Sequence, residues 1–296
     1  MKMNISTYMK IFIPSFQRMK KLKGTRILLS FFALLVILLF SKCSKEPTCE
    51  SLQVENSDST ACLVGMDVAF LIDYTGSMSD AIDNIKYSVN SIVNNIALKS
   101  GGDYQLALGI FDEYPTETYP LYFVQSPYAS LPSSSKKIVT TNPFRTQYLT
   151  IMEKFSSYNK TSFINQLNKL NSMDMFMGSG VSYPEPGGLL AYEVVKKDFA
   201  GLWRSGKKKY CFIITDAPDG GDDDNADATD DLLLQNIASI ADTNEISFIL
   251  ITTASAGINY ETHLIDNNKG SYKLLNADFN NVSKDINLII NKLCDD

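Results

Sequence analysis

The sequence predicts an α/β fold: a mostly parallel central sheet with helices on both faces. Three observations carry this. MDVAFLI (Met66–Ile72), KYCFIIT (Lys209–Thr215) and ISFILIT (Ile246–Thr252) are strand-length runs that stay apolar on both sides, as strands covered on both faces require. Segments with helical spacing alternate with them, the first on Ile82, Ile85, Val89, Ile92, Val93 and Ile96. The composition, 45% hydrophobic and 20% charged over 296 residues, is that of a chain able to bury a sizeable core.

Taken in order, the elements begin after a distinct N-terminal region. Lys20, Lys21, Lys23 and Arg26 precede ILLSFFALLVILLF (Ile27–Phe40), a basic leader and apolar core too short to span a bilayer comfortably. Residues 1–42 are assigned to a signal peptide, with Met19 as an alternative start. Residues 43–62, polar and turn-rich, read as a tether, and residues 63–296 as the folded domain.

YQLALGIF (Tyr104–Phe111) is the next strand, with DEYPTE as a turn and TYPLYFVQ returning antiparallel beside it. Ser126–Phe144, rich in Ser and Pro, reads as a loop or insertion. Helical faces follow on Phe163, Leu167 and Leu170, on Leu190, Val194, Val195 and Phe199, and on Leu233, Ile237 and Ile240. SYKLL is a last strand, and Val282, Ile286, Ile289, Ile290 and Leu293 mark a last helix.

The net charge of −6 gives no footprint for nucleic acid, and Lys207–Lys209 reads as a solvated strand end. Functional candidates lie where strands stop, because ligands of open α/β sheets bind outside the strands' carboxyl ends. Asp73 ends the first strand in FLIDYTGSMSD, followed by Thr75, Gly76, Ser77 and Ser79. Asp216 ends another in FIITDAPDG, and GSGVSYPEPGG (Gly178–Gly188) opens a helix with Ser179, Ser182 and Glu185. Two carboxylates facing one crevice repel unless a proton or cation lies between them. Oxygen ligands without His or Cys select a hard cation, Mg²⁺ first, with Mn²⁺ or Ca²⁺ as alternatives. Asp73 and Ser77 as plain helix caps is the bland reading. The acidic run Gly220–Asp231 has no closing Glu of a calcium loop and reads as solvated, with helix-capping acids near Asp230.

Two resemblances sharpen this. LFSKC resembles the lipobox of bacterial lipoproteins, differing at Lys42, which implies acylation of Cys43 and attachment to the bacterial cell envelope, at the outer membrane or cell surface. Export implies oxidising surroundings, so a disulfide between Cys62 and Cys294 is expected, with Cys49 as competing partner and Cys211 buried as an apolar residue.

Asp73-Tyr-Thr75-Gly-Ser77 resembles the Asp-x-Ser-x-Ser signature of the metal-ion-dependent adhesion site of von Willebrand factor type A domains, whose fold is Rossmann-like. Thr215-Asp216-Ala217 is similar to that site's third loop, and YPEPGG to the Pro-Glu-Gly-Gly loop of integrin β subunits. The resemblance implies that Thr75 and Ser77 bind the metal through their hydroxyls and that Asp73 and Asp216 hold metal-bound waters. It leaves the second-loop ligand open between Ser182 and Glu185. The expectation is an exported, lipid-anchored module, not an enzyme, that binds a divalent cation and through it a carboxylate on a protein or other macromolecular partner. A metal-assisted hydrolase with Asp216 or Glu185 as base is the alternative, and a domain with no metal function the third.

Overall fold

The computed structural model of the chain describes residues 64–115, 130–139, 145–170, 184–220, 225–253 and 256–275, with a few more between 279 and 291. The signal peptide, the tether, Cys43, Cys49, Cys62, Cys294, Ser182 and the expected strand TYPLYFVQ lie outside the described residues.

Strands β1 (Met66–Asp73), β2 (Tyr104–Pro115), β3 (Lys136–Val139), β4 (Arg145–Glu153), β5 (Lys208–Thr215), β6 (Ile246–Thr252) and β7 (Tyr272–Leu275) form one seven-stranded sheet in the order β3-β4-β2-β1-β5-β6-β7. β2, β1, β5, β6 and β7 are parallel, and β4 runs against both its neighbours. The two-residue pleat divides the core. Phe70 and Ile72 of β1, Phe212 and Ile214 of β5 and Ile249 and Ile251 of β6 share one cluster, packed by helices α1 (Ile82–Lys99) and α2 (Lys160–Leu167). Ala69, Leu71, Cys211, Ile213, Phe248 and Leu250 face the other side, packed by α3 (Gly187–Lys196), α4 (Ala228–Thr243) and a π-helical turn, Tyr260–Ile265. The expected architecture, a mostly parallel sheet with helices on both faces, is the one observed.

The second face is lined by small residues near the centre, which sets the depth of α3. A Cβ on Gly109 would stand 3.1 Å from a Leu190 methyl of α3, so the helix rests directly on β2. Cys211 is buried and unbridged, and burial pushes its thiol pKa up, as expected of an inert core thiol. α4 starts with a capping box in which Asp227 and Asp230 exchange bonds with each other's backbone, so the acids near Asp230 are helix caps.

Three expectations need correction. DEYPTE is no turn at its start, because β2 continues through Asp112–Pro115, where it has outrun β1 and pairs with β4 alone. One-sided pairing there tolerates acids and a proline. The stretch read as a loop, Ser126–Phe144, contains β3, a four-residue edge strand whose lysines suit an exposed edge. Finally, Lys207 and Lys209 are not merely solvated: Lys207 Nζ donates to Asp103 Oδ2 at 2.6 Å and Lys209 Nζ to the Asn244 carbonyl at 2.6 Å. Lys207 belongs to a network at the strand-start end, in which Arg204 bonds the fully buried Asp67 through Nε and through its own backbone N–H. Lys207 first, and Arg204 with it, hold the Asp103 carboxyl below the usual carboxylate range.

Candidate metal centre

Strand order reverses at β1, whose neighbours β2 and β5 are reached by connections leaving in opposite directions. A crevice opens there at the carboxyl ends. Asp73, the last residue of β1, is fully buried in it. Its Oδ1 accepts from Thr75 N at 3.0 Å and Thr75 Oγ1 at 2.7 Å, folding the chain back on itself after the strand. Its Oδ2 accepts from Thr215 Oγ1 at 2.7 Å, which ties the end of β5 to the end of β1. Ser77 Oγ donates to Asp216 Oδ1 at 2.9 Å, and Thr75 Oγ1 stands 3.1 Å from Ser77 Oγ.

A hydroxyl has one proton and two lone pairs. Thr75 Oγ1 and Ser77 Oγ, each bonded to a carboxyl group and within hydrogen-bond distance of each other, therefore keep lone pairs that a cation can take up. Neither the 3₁₀ turn Gly76–Asp80 nor α1 has a side-chain cap, so Asp73 and Ser77 are not acting as helix caps.

Burial raises the Asp73 pKa to about 7; Asp216 adds to the rise, and the Thr215 and Thr75 hydrogen bonds oppose it. Burial also raises Asp216, against its bond from Ser77. Glu185 is buried, and burial first, then the charges of Asp73, Glu113, Asp112 and Asp216, hold its carboxyl well above the usual range. Its Oε2 is buried with no hydrogen-bond partner. A buried carboxyl oxygen without a hydrogen-bond partner, near enough to feel the charges of Asp73 and Asp216, together with two hydroxyls that keep lone pairs, fits a divalent cation. Among the described residues no three of His, Cys, Asp and Glu converge as a metal's protein ligands would, which leaves the Thr75 and Ser77 hydroxyls as the direct ligands these residues offer.

The second and third loops are zipped together. Glu185 N donates to the Pro218 carbonyl at 2.9 Å, and Gly220 N to the Glu185 carbonyl at 3.1 Å. Asp219 Oδ1 accepts from Gly188 N at 2.7 Å and from Tyr260 Oη at 3.2 Å, while Asn259 bonds both the N–H and the carbonyl of Asp219. This explains Gly187 and Gly188: a Cβ on the first would meet Tyr260 Oη at 2.2 Å, and on the second Asp219 Oδ2 at 2.1 Å. Beside Ser77 and Asp216 lies a cleft of about 330 Å³, bordered also by Asp80, Asn84, Thr253 and Phe279.

Of the expected site residues, Asp73, Thr75, Ser77 and Asp216 share one hydrogen-bonded group, and Glu185 lies near enough to feel the Asp73 and Asp216 charges. Asp112, Glu113, Asp219 and Tyr260 were not expected there. GIFDE shows the same signal that marks Asp73, an apolar strand running into an acid, but the turn reading of DEYPTE hides it. The only histidine, His263, has Asp231 and Gln235 as its ring partners.

A scan against protein-family models gives no match, and a search of curated proteins gives none. Among solved structures, the chain is similar to proximal thread matrix protein 1 from the mussel byssus, described with a zinc-occupied MIDAS motif. That match has a TM-score of 0.50 at 12% identity, over 79% of this chain and 47% of that one. Others are a von Willebrand factor type A protein from Catenulispora acidiphila (0.48, 9% identity, 77% of this chain and 42% of that one) and the SpRpn10 VWA domain (0.43, 12% identity, 73% and 94%). The chain thus spans about half the length of the mussel protein. What the likeness shows is the fold, a mostly parallel, Rossmann-like α/β sheet with helices on both faces.

Proposed function

We propose that this protein is an interaction module that holds a divalent cation at the Thr75 and Ser77 hydroxyls and Glu185, with Asp73 and Asp216 reaching it through bound water, and that through the cation it binds an acidic group on a macromolecular partner. The observation that carries the reading is the pair of hydroxyls 3.1 Å apart, hydrogen-bonded to Asp73 and Asp216, together with a buried Glu185 oxygen that has no hydrogen-bond partner. An all-oxygen set without His or Cys would favour a hard cation, Mg²⁺ first, with Mn²⁺ or Ca²⁺ as alternatives. A cation bound there supplies positive charge that neutral hydroxyls leave largely uncompensated, so an incoming carboxylate is strongly attracted. The zinc-occupied motif of the mussel protein supports a divalent metal on this fold.

The chain's residues have separable roles. Asp73 and Asp216 orient the two hydroxyls, Thr215 fixes Asp73, and the Asp219 clamp holds Glu185 in place. Ser182 remains the alternative second-loop ligand. The protein is not an enzyme in this reading. Its place is the bacterial cell envelope, to which Cys43 attaches it through lipid, with Cys62 and Cys294 bridged.

Calorimetric titration of Mg²⁺, Mn²⁺ and Ca²⁺ into the parent, Ser77→Ala and Asp73→Ala proteins tests the site. The expected result is saturable binding to the parent and loss of roughly tenfold or more in each variant, since ~1.4 kcal/mol of lost interaction is tenfold. Equal affinity in all three would refute the site. Capture of partners with and without chelator tests the use made of it.

A further inference from the structure

The end of the sheet opposite Asp73, where the strands begin, carries an unusual surface. Of the eight large apolar side chains exposed among the described residues, four are on this rim: Val64, Leu98, Tyr158 and Leu202. Val64 leads into β1, and Leu98 occupies the last turn of α1 before β2. Tyr158 N donates to the Tyr104 carbonyl at 3.1 Å, and the Leu202 carbonyl accepts from Gln105 Nε2 at 3.0 Å, so both flank the start of β2. Leu98, Tyr158 and Leu202 are 74%, 68% and 72% exposed. Tyr158 is presented from a left-handed backbone, φ 57°, which a bulky aromatic seldom adopts. A cleft of about 590 Å³ on the same end is lined by Lys207, Lys208, Lys209 and Lys269, with Asp242 and Glu245 as its acids.

Lysines near helix ends and strand starts have a local explanation in the carbonyls they face. Exposed Leu98 and Leu202 have none, while Tyr158 sets its ring edge-on to Tyr104, 6.1 Å between centroids; exposed apolar side chains on the same end as a lysine-lined cleft match the apolar and anionic layers of a lipid surface. The chain also reaches the domain on this rim, at Val64, with Cys43 and the apolar stretch Ile27–Phe40 upstream in the sequence. We infer that this face docks on an anionic lipid bilayer, with Leu98, Tyr158 and Leu202 in the headgroup layer and Lys208 and Lys269 against lipid phosphates. The candidate metal centre, at the strands' other ends, then points away from the membrane toward its partners. The inference rests on the reading that the N-terminal region holds the protein at a membrane.

The test uses Trp203, the only tryptophan, which lies between Leu202 and Arg204 with its ring against Phe155. The full chain is incorporated into vesicles of phosphatidylcholine alone or with phosphatidylglycerol, each carrying a headgroup-spin-labelled lipid. The expected result is quenching of Trp203 emission that requires phosphatidylglycerol and is lost on raising salt to about 1 M, where the Debye length is ~3 Å. Lys208→Gln/Lys269→Gln should weaken this roughly 25-fold, at about fivefold per lysine, and Leu202→Asp should abolish it while leaving the melting temperature near the parent's. Retention of the chain on vesicles after the salt wash reports the anchor separately, because docking alone is salt-sensitive. Retained chain with unquenched Trp203 in phosphatidylglycerol vesicles overturns the docking face. So does quenching equal in both vesicle types, or burial of this rim in a dimer that persists with lipid present.

Discussion

Buried carboxyls with raised pKa values, Asp73 with Glu185 and Asp216, shape the pH behaviour of the metal-free protein. Asp73 titrates near 7 when folded, against an ordinary value of 3.8, so between those limits the folded state binds the proton more tightly than the unfolded chain. Stability of the metal-free form therefore falls as pH rises from about 4 to about 7, by up to ~4 kcal/mol. Asp73→Ala removes that penalty but strips Thr75 and Thr215 of an acceptor, at about 1 to 3 kcal/mol for each hydroxyl left unpaired. The two effects offset at pH 8, where the variant should melt close to the parent, and do not offset at pH 5, where the variant should be clearly less stable. Urea titrations at both pH values check this; a variant whose deficit is equal at pH 5 and pH 8 contradicts it. A cation has to displace the same proton, so Mg²⁺ affinity should rise as pH passes upward through 7, measurable by calorimetry.

At the scale of elements, the loop Pro184–Gly188 is a strap between α3 and the end of β5, held by Asp219 and Tyr260. Gly188→Ala pushes a methyl into Asp219 and should cost about 1 to 3 kcal/mol of stability, as overpacked sites do. It should also weaken cation binding, since Glu185 shares the strap; thermal melts and calorimetry on that variant read the two effects separately. These elements also show where sequence reading reaches and where it stops. β1, β5 and β6 were legible because burial on both faces leaves unbroken apolar runs, and Asp73 and Asp216 because each follows such a run. β4 was not, because Thr146, Gln147 and Thr150 are buried polar residues whose place only the sheet reveals. Asp219 and Tyr260 stayed hidden for a related reason. Their partnership joins residues 41 positions apart, and nothing local marks either one as belonging to the site.

For the molecule as a whole, the folded domain should stand without residues 1–62, because every described element lies beyond them; a cooperative melt of that truncation is the check. Its stability should depend heavily on Arg204, whose loss leaves the buried Asp67 carboxyl without its guanidinium and with only the backbone N–H of residue 204. Arg204→Met should cost about 3 to 5 kcal/mol by denaturant titration, while ~1 mM Mg²⁺ should add only about 0.4 to 1.4 kcal/mol for a Kd of 10⁻³ to 10⁻⁴ M. The central position of β1 bears on time as well as on energy. β1 meets β2 early in the chain, but its other edge waits for β5, and Asp73 and Thr215 are 142 residues apart. Closing so long a loop is slow compared with local pairing. During refolding the hydroxyls of Thr75 and Ser77 therefore spend most of the reaction without Asp216, and cation affinity should arise in the last kinetic phase, after most helix has formed. On the proposed function, partner binding through the cation is then a late product of folding, and a half-folded chain does not yet have the site.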